Sequence, residues 1–151
     1  MKATEVLVSH HSFLRALFDE IERAMRDVDT SAEISTFACM VEALMLDHAE
    51  AEETLLFAPL DNMLMEKGQL MQLYSNHREC LSLLQKAQEA RPVTEAKSLL
   101  LVAMRMLRDH FRDEERKIIL LAETTFQPKS LQKLGDLWVE RHAPSDEQLA
   151  R

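Results

Sequence analysis

His48-Ala-Glu-Ala-Glu52-Glu53 and His110-Phe-Arg-Asp-Glu114-Glu115 are two copies of one pattern, His-x-x-x-Glu-Glu, in a chain of 151 residues. A further histidine precedes each copy, His11 by 37 positions and His77 by 33. In an α-helix positions i and i+4 share a face, so each copy presents an imidazole and a carboxylate together. The second half of the chain thus repeats the first: a histidine, about nine helical turns, then His-x-x-x-Glu.

Around these motifs, apolar spacing and punctuation predict five helices and no sheet. Two glycines and four prolines are few, and Ala, Leu, Met, Glu, Gln, Lys and Arg, all good helix formers, are abundant. The first helix is expected from about Thr4 to Val28, with Leu7, His11, Leu14, Phe18, Ile21 and Met25 on one stripe. Thr30 with Glu33 reads as a capping box opening the second helix, whose stripe is Phe37, Val41, Leu44, His48, Glu52 and Leu55, and which Pro59 limits. A looser stretch from about Leu60 to Gly68 precedes a third helix, about Gln69 to Ala90, with Leu70, Leu73, His77, Leu81 and Leu84 inward. Thr94 reads as the cap of a fourth, carrying Leu100, Met104, Leu107, His110, Glu114, Ile118 and Leu121 and ending near Phe126. A short fifth helix, about Lys129 to His142, places Leu131, Leu134 and Trp138 on one side, and the tail from Ala143 to Arg151 reads as frayed.

The expected fold is therefore all-α, an up-down-up-down four-helix bundle over residues 1–126. Residues 127–151 add a short C-terminal helix and tail to the same domain.

The formal charge of −8, with its basic residues dispersed, argues against a nucleic-acid or anionic-membrane partner. No segment approaches the ~18 apolar residues of a membrane span. The amphipathic start lacks the apolar core and cleavage site of a signal peptide. Cys39 and Cys80 make a poor disulfide framework and read as free thiols in a reducing cytoplasm.

The histidines can be placed by level. Taking the first turn near residue 30, His11 stands 19 positions before it and His48 18 after. Taking the turn between the third and fourth helices near residue 93, His77 stands 16 before and His110 17 after. At a rise of ~1.5 Å per residue a mismatch of one position is small. The four histidines then fall in one layer of the bundle. All six residues, His11, His48, Glu52, His77, His110 and Glu114, lie on the apolar stripes of their helices, where an isolated charge would be very unfavourable.

A metal cluster satisfies all six at once. Imidazole with carboxylate suits iron, manganese or zinc, and six protein ligands exceed the four of a structural zinc site. Two carboxylates from different helices suit bridging between two ions, with an oxo or hydroxo bridge and an exogenous ligand in the remaining positions. Ferritin-like Glu-x-x-His is excluded, because Val8, Met45, Tyr74 and Leu107 stand three residues before the histidines.

His11-Ser-Phe-Leu-Arg, His48-Ala-Glu-Ala-Glu52-Glu53, His77-Arg-Glu-Cys-Leu and His110-Phe-Arg-Asp-Glu114-Glu115 resemble the hemerythrin-like, or HHE cation-binding, domain over roughly residues 5 to 125. The resemblance implies that His11, His48, His77 and His110 ligate two non-haem iron ions and that Glu52 and Glu114 bridge them. Oxygen-carrying hemerythrins have a fifth histidine where Leu73 stands here. Tyr74 is the neighbouring group that could approach an iron in its place. The set of four histidines and two glutamates is similar to that of the bacterial iron-centre repair proteins, which carry an extra cysteine-bearing domain.

Other residues receive plainer readings. His10 competes with His11 as a ligand, and the flanking Leu14, Leu17 and Phe18 favour His11. His10 is expected to be partly exposed and His142 an ordinary surface residue. Glu53 and Glu115, at i+5, face away from the stripe and suit solvated or supporting roles. Met40, Met45, Met104 and Met106 read as core filler, and Cys80 as a buried thiol.

The function expected first is a cytoplasmic di-iron protein, a monomer or homodimer, that binds O2 or NO for sensing, storage or stress response. A di-iron enzyme or iron donor acting on peroxide, NO or damaged iron centres is the second. An iron-responsive interaction module reporting through the fifth helix is the third.

Overall fold

Helix-forming residues with apolar side chains at 3.6-residue spacing produce an all-α structure in the computed structural model, which describes residues 1–143. No strand occurs among the described residues. Helix α1 spans Ala3–Ala24 and tightens into a 3-10 turn over Met25–Asp27. Helix α2 spans Ser31–Glu52, passes through a π-helical turn, Glu53–Phe57, and continues as α3, Ala58–Met63. Helices α4, Met71–Glu89, and α5, Val93–Thr125, form the second half of the bundle. Helix α6, Pro128–Arg141, lies mainly against α1.

Several local expectations change. Pro59 does not limit the second helix, which reaches Met63. A proline lacks the N–H for a regular helical bond and its ring crowds the carbonyl four residues back. The wider π turn just before Pro59 relieves both conditions while keeping Leu56, Phe57 and Leu60 fully buried. Thr94 does not cap α5, whose N-cap is Pro92. Thr30 does cap α2, its hydroxyl accepting from the Glu33 backbone N–H at 3.3 Å. On α2 the stripe is rotated, so that Leu44 and Met40 are exposed while Ile34, Ala38 and Met45 enter the core. Leu81 is half-buried, and Cys80 takes the inward place on α4. The frayed tail, past Ala143, falls outside the described residues.

Two apolar clusters fill the interior, one on either side of a polar layer. The first gathers Leu14, Phe18, Val41, Met45, Leu84, Met104 and Leu107 among others. The second holds Leu7, Leu56, Phe57, Leu73, Ile118, Leu131 and Trp138. On each helix the polar residues stand between the two clusters: Leu7, His11, Leu14 on α1 and Leu73, His77, Cys80 on α4 run from the second cluster to the first, whereas Leu107, His110, Glu114, Ile118 on α5 run from the first to the second. Burial of each large side chain contributes on the order of 1.5–3 kcal/mol, so both clusters hold the layer between them firmly.

Gly135 permits the close crossing of α6 over the start of α1. A Cβ there would collide with the Met1 carbonyl oxygen and stand 2.8 Å from the Ala3 nitrogen. This approach seats Trp138, fully buried, beside the polar layer.

Candidate metal centre

The polar layer is built by four helices. α1 delivers His11, α2 delivers His48 and Glu52, α4 delivers His77, and α5 delivers His110 and Glu114. None of the six exceeds 3% exposure. Within each motif the i,i+4 spacing aims both groups the same way: Nε2 of His110 lies 2.6 Å from Glu114 Oε1, and Nε2 of His48 lies 3.7 Å from Glu52 Oε2.

The other contacts cross between helices. His11 Nε2 is 3.3 Å from Glu114 Oε2, and His77 Nε2 is 3.3 Å from Glu52 Oε2 and 3.5 Å from Glu114 Oε1. The atoms fall into two overlapping groups, His11, His48, Glu52, Glu114 and Glu52, His77, His110, Glu114, each with its ligand atoms within 4.8 Å of one another. Both groups contain both carboxylates. The structure thus brings together all six residues singled out in the sequence.

Nine side-chain atoms of this layer are buried without a hydrogen-bond partner: Nε2 of all four histidines, Nδ1 of His48, and both oxygens of Glu52 and Glu114. Buried polar atoms in native proteins are almost always satisfied. Lone pairs of imidazole and carboxylate converging on common points are the donor set of a metal site, so these residues fit bound cations. The buried cluster is compatible with metal binding.

The outer ring nitrogens fix the orientation of two histidines. Nδ1 of His11 lies 3.0 Å from Glu115 Oε1, and Nδ1 of His77 lies 2.7 Å from Glu53 Oε1. An ionised carboxylate accepts and never donates, so Nδ1–H donates and the Nε2 lone pair is the one available to a metal. Glu115 itself is fixed by Arg15 at 2.8 Å. Burial opposes its charge, yet the hydrogen bonds from Arg15 and His11 keep its pKa below the usual carboxylate range. Thus Glu53 and Glu115, expected to be solvated or supporting, each reach across to the lone histidine of a neighbouring helix. Asn76 Nδ2 sits 3.5 Å from Nδ1 of His110.

The protonation pattern of the cluster follows from its crowding. Burial, then repulsion from Glu114, pushes the Glu52 carboxyl well above its ordinary range. Burial acts the same way on Glu114, but the close approach of His11, His110 and His77 outweighs it and holds its pKa well below normal. Burial works against a charged His77, whereas the nearby Glu114 and Glu52 carboxylates hold it up to about 10. His48 is lowered well below the ordinary value by burial and then by the charge of His11.

Aromatic rings wall the site. Phe111 stacks on His11 with ring centroids 4.2 Å apart, and Phe57 lies parallel to His77 at 5.9 Å. Tyr74 packs edge-on to Phe57. His10 is half-buried and sits outside the six-residue layer, 5.9 Å from His48 between ring centroids. His142 is exposed, as expected, and is tethered there: its Nε2 lies 2.6 Å from Asp47 Oδ2, and its ring meets that of His10 at 5.2 Å. Sequence periodicity could not find Asn76, Phe57 or the His142–Asp47 pair, because each depends on how neighbouring helices are rotated.

A family model described as Hemerythrin HHE cation binding domain matches residues 2–122. Comparison with curated proteins and with solved structures gave no match.

Proposed function

The chain belongs to the hemerythrin HHE cation-binding family, and from that premise we propose that it is a non-haem di-iron protein that binds O2 or NO for sensing, storage or stress response. The observation that carries this reading is the pair of four-residue groups sharing Glu52 and Glu114. In that reading His11 and His48 would hold one ion and His77 and His110 the other, with Glu52 and Glu114 available to both. Iron held there supplies a redox-active pair with an exchangeable position for a diatomic ligand or peroxide.

The protein's own residues prepare that site. Glu115 and Glu53 orient His11 and His77 and keep each proton on Nδ1. Phe57, Phe111, Leu73 and Ile118 exclude water from its flanks. Where the fifth histidine of oxygen carriers would stand, Leu73 offers no donor, so a bound iron would keep a position there for an external ligand.

Metal analysis of anaerobically purified protein is expected to find two irons per chain. Exposure of the reduced protein to O2 or NO should change its near-ultraviolet and visible spectrum. Loading at neutral pH should also release protons, because Glu52 and His77 hold protons that the metal displaces. One zinc or none, or an iron-loaded protein indifferent to both gases, would overturn the reading. Steady-state consumption of peroxide or NO would move it to the di-iron enzyme.

Trp138 supports the interaction-module reading as a second. Its ring centroid lies 6.4 Å from that of His48, so α6 rests directly on a residue of the site. Iron-dependent change in the fluorescence of this single tryptophan, with a change in protease sensitivity of α6, is the outcome expected from that alternative.

A further inference from the structure

Helices α4 and α5 enclose a cleft of about 510 Å³ on the opposite side of the layer from the Leu14–Leu107 cluster. Its apolar walls come from Leu70 and Leu73 of the α4 end and Ile118 and Leu121 of α5, with the exposed Leu120 at its rim. Leu73 precedes His77 by one helical turn and Ile118 follows Glu114 by one turn, so the floor borders the polar layer. The volume lies in the range of small-molecule sites, ~300–1,000 Å³.

The charge at this cleft runs against that of the chain. The protein carries 26 acidic and 18 basic residues, yet no acidic residue lines the cleft, whereas Arg116 and Lys117 do. Neither cation makes an ion pair among the described residues, in contrast to Arg108 on the same helix, which bonds Glu22 at 2.5 Å and Asp19 at 2.8 Å. The N-terminal turn of α4 opens at the same place, with no acidic residue in it and no side-chain cap. Its amides are taken up locally, Met71 N–H by the Gly68 carbonyl and Leu73 N–H by that of Leu70, which leaves the two cations as the source of positive charge. Gln69, Gln72 and Thr124, the remaining polar groups, already bond Glu66, Asn76 and the Leu120 carbonyl.

We propose that this cleft binds a free medium-chain carboxylate, its alkyl chain on Leu70, Leu73, Ile118 and Leu121 and its carboxylate facing Arg116 and Lys117. An apolar slot explains affinity for the chain through burial of hydrocarbon. The two cations select an anion over a neutral or cationic head. This site does not depend on which ion the six-residue layer holds.

Calorimetric titration of the purified protein with decanoate tests it. Saturable binding of one decanoate per chain is expected, with decanol about tenfold weaker, a difference of ~1.4 kcal/mol. The exposed pair of substitutions Arg116→Glu and Lys117→Glu should weaken decanoate by about tenfold or more while leaving decanol unchanged. Leu120→Asp, also at an exposed position, should weaken both, and unchanged helical circular dichroism shows that each variant is folded. No saturable decanoate binding overturns the proposal. So does decanol binding as tightly as decanoate, or charge reversal without effect. Binding to phosphatidylglycerol vesicles in place of free decanoate would assign the surface to a membrane and overturn it equally.

Discussion

The two copies of His-x-x-x-Glu-Glu perform the same task on different backbones. In the second copy, His110–Glu115, the motif lies inside the uninterrupted 33-residue α5. In the first, α2 ends at Glu52 and a π-helical turn begins at Glu53. Yet Glu53 reaches His77 at 2.7 Å and Glu115 reaches His11 at 3.0 Å, an equivalent exchange across the bundle. A regular helix is therefore sufficient for that reach. The π turn instead serves the passage through Pro59 and the burial of Leu56, Phe57 and Leu60. The copies differ more at their histidines. His110 has Asn76 beside its outer nitrogen, whereas Nδ1 of His48 is buried without a partner, and the residue helps line a cavity of about 200 Å³ with His10 and His142.

The comparison breaks most visibly at the carboxylates. Glu114 faces His11, His77 and His110, so Glu114→Ala is expected to remove tight binding of both ions, whereas His48→Ala should reduce metal content from two to one per chain. Equal losses in the two variants, measured by metal analysis, would show that the halves do not divide the ions as drawn. A smaller effect is expected from the supporting glutamates. Glu53→Ala and Glu115→Ala should each lower metal affinity about 10–100-fold, as loss of a histidine's hydrogen-bond partner typically does. Competition with a chelator would sharpen the likeness if the two agree within a few-fold, and end it if one is silent. The smallest effect separates the helix starts. Thr30→Ala should cost about 1 kcal/mol in denaturant unfolding through its lost cap, while Thr94→Ala, exposed and not capping, should stay within about 0.5 kcal/mol.

The features legible in the sequence are those that depend on the fixed rise and period of the helix. Counting from the turns places His11, His48, His77 and His110 at one level because 1.5 Å per residue varies little. The i,i+4 rule groups each histidine with its glutamate for the same reason. Rotation of one helix against another obeys no such count. Leu44 has an inward place in the apolar pattern and is exposed in the fold, since α1 and α2 approach closely at few positions and the core draws α2 towards α4. His142 is the surface residue its place in the chain suggests, but its contact with Asp47 is not legible, because that partner is 95 positions away and joins it only when α6 folds back. Pro59 reads as a stop because a local widening of the helix leaves no mark in the apolar pattern.

The nine unpartnered atoms between the two apolar clusters also bear on how the chain folds. Each cluster is locally consistent, its contacts all favouring assembly, whereas the layer between them asks Glu52 and Glu114 to share one dry space. In the language of energy landscapes that layer is a patch of frustration inside an otherwise smooth funnel. The metal-free helices should therefore exchange amide hydrogens fastest at the centre of the bundle, flanking His48 and His110, not at its ends. Binding of cations would then act as the last folding step, closing from the middle a structure whose two ends assemble first.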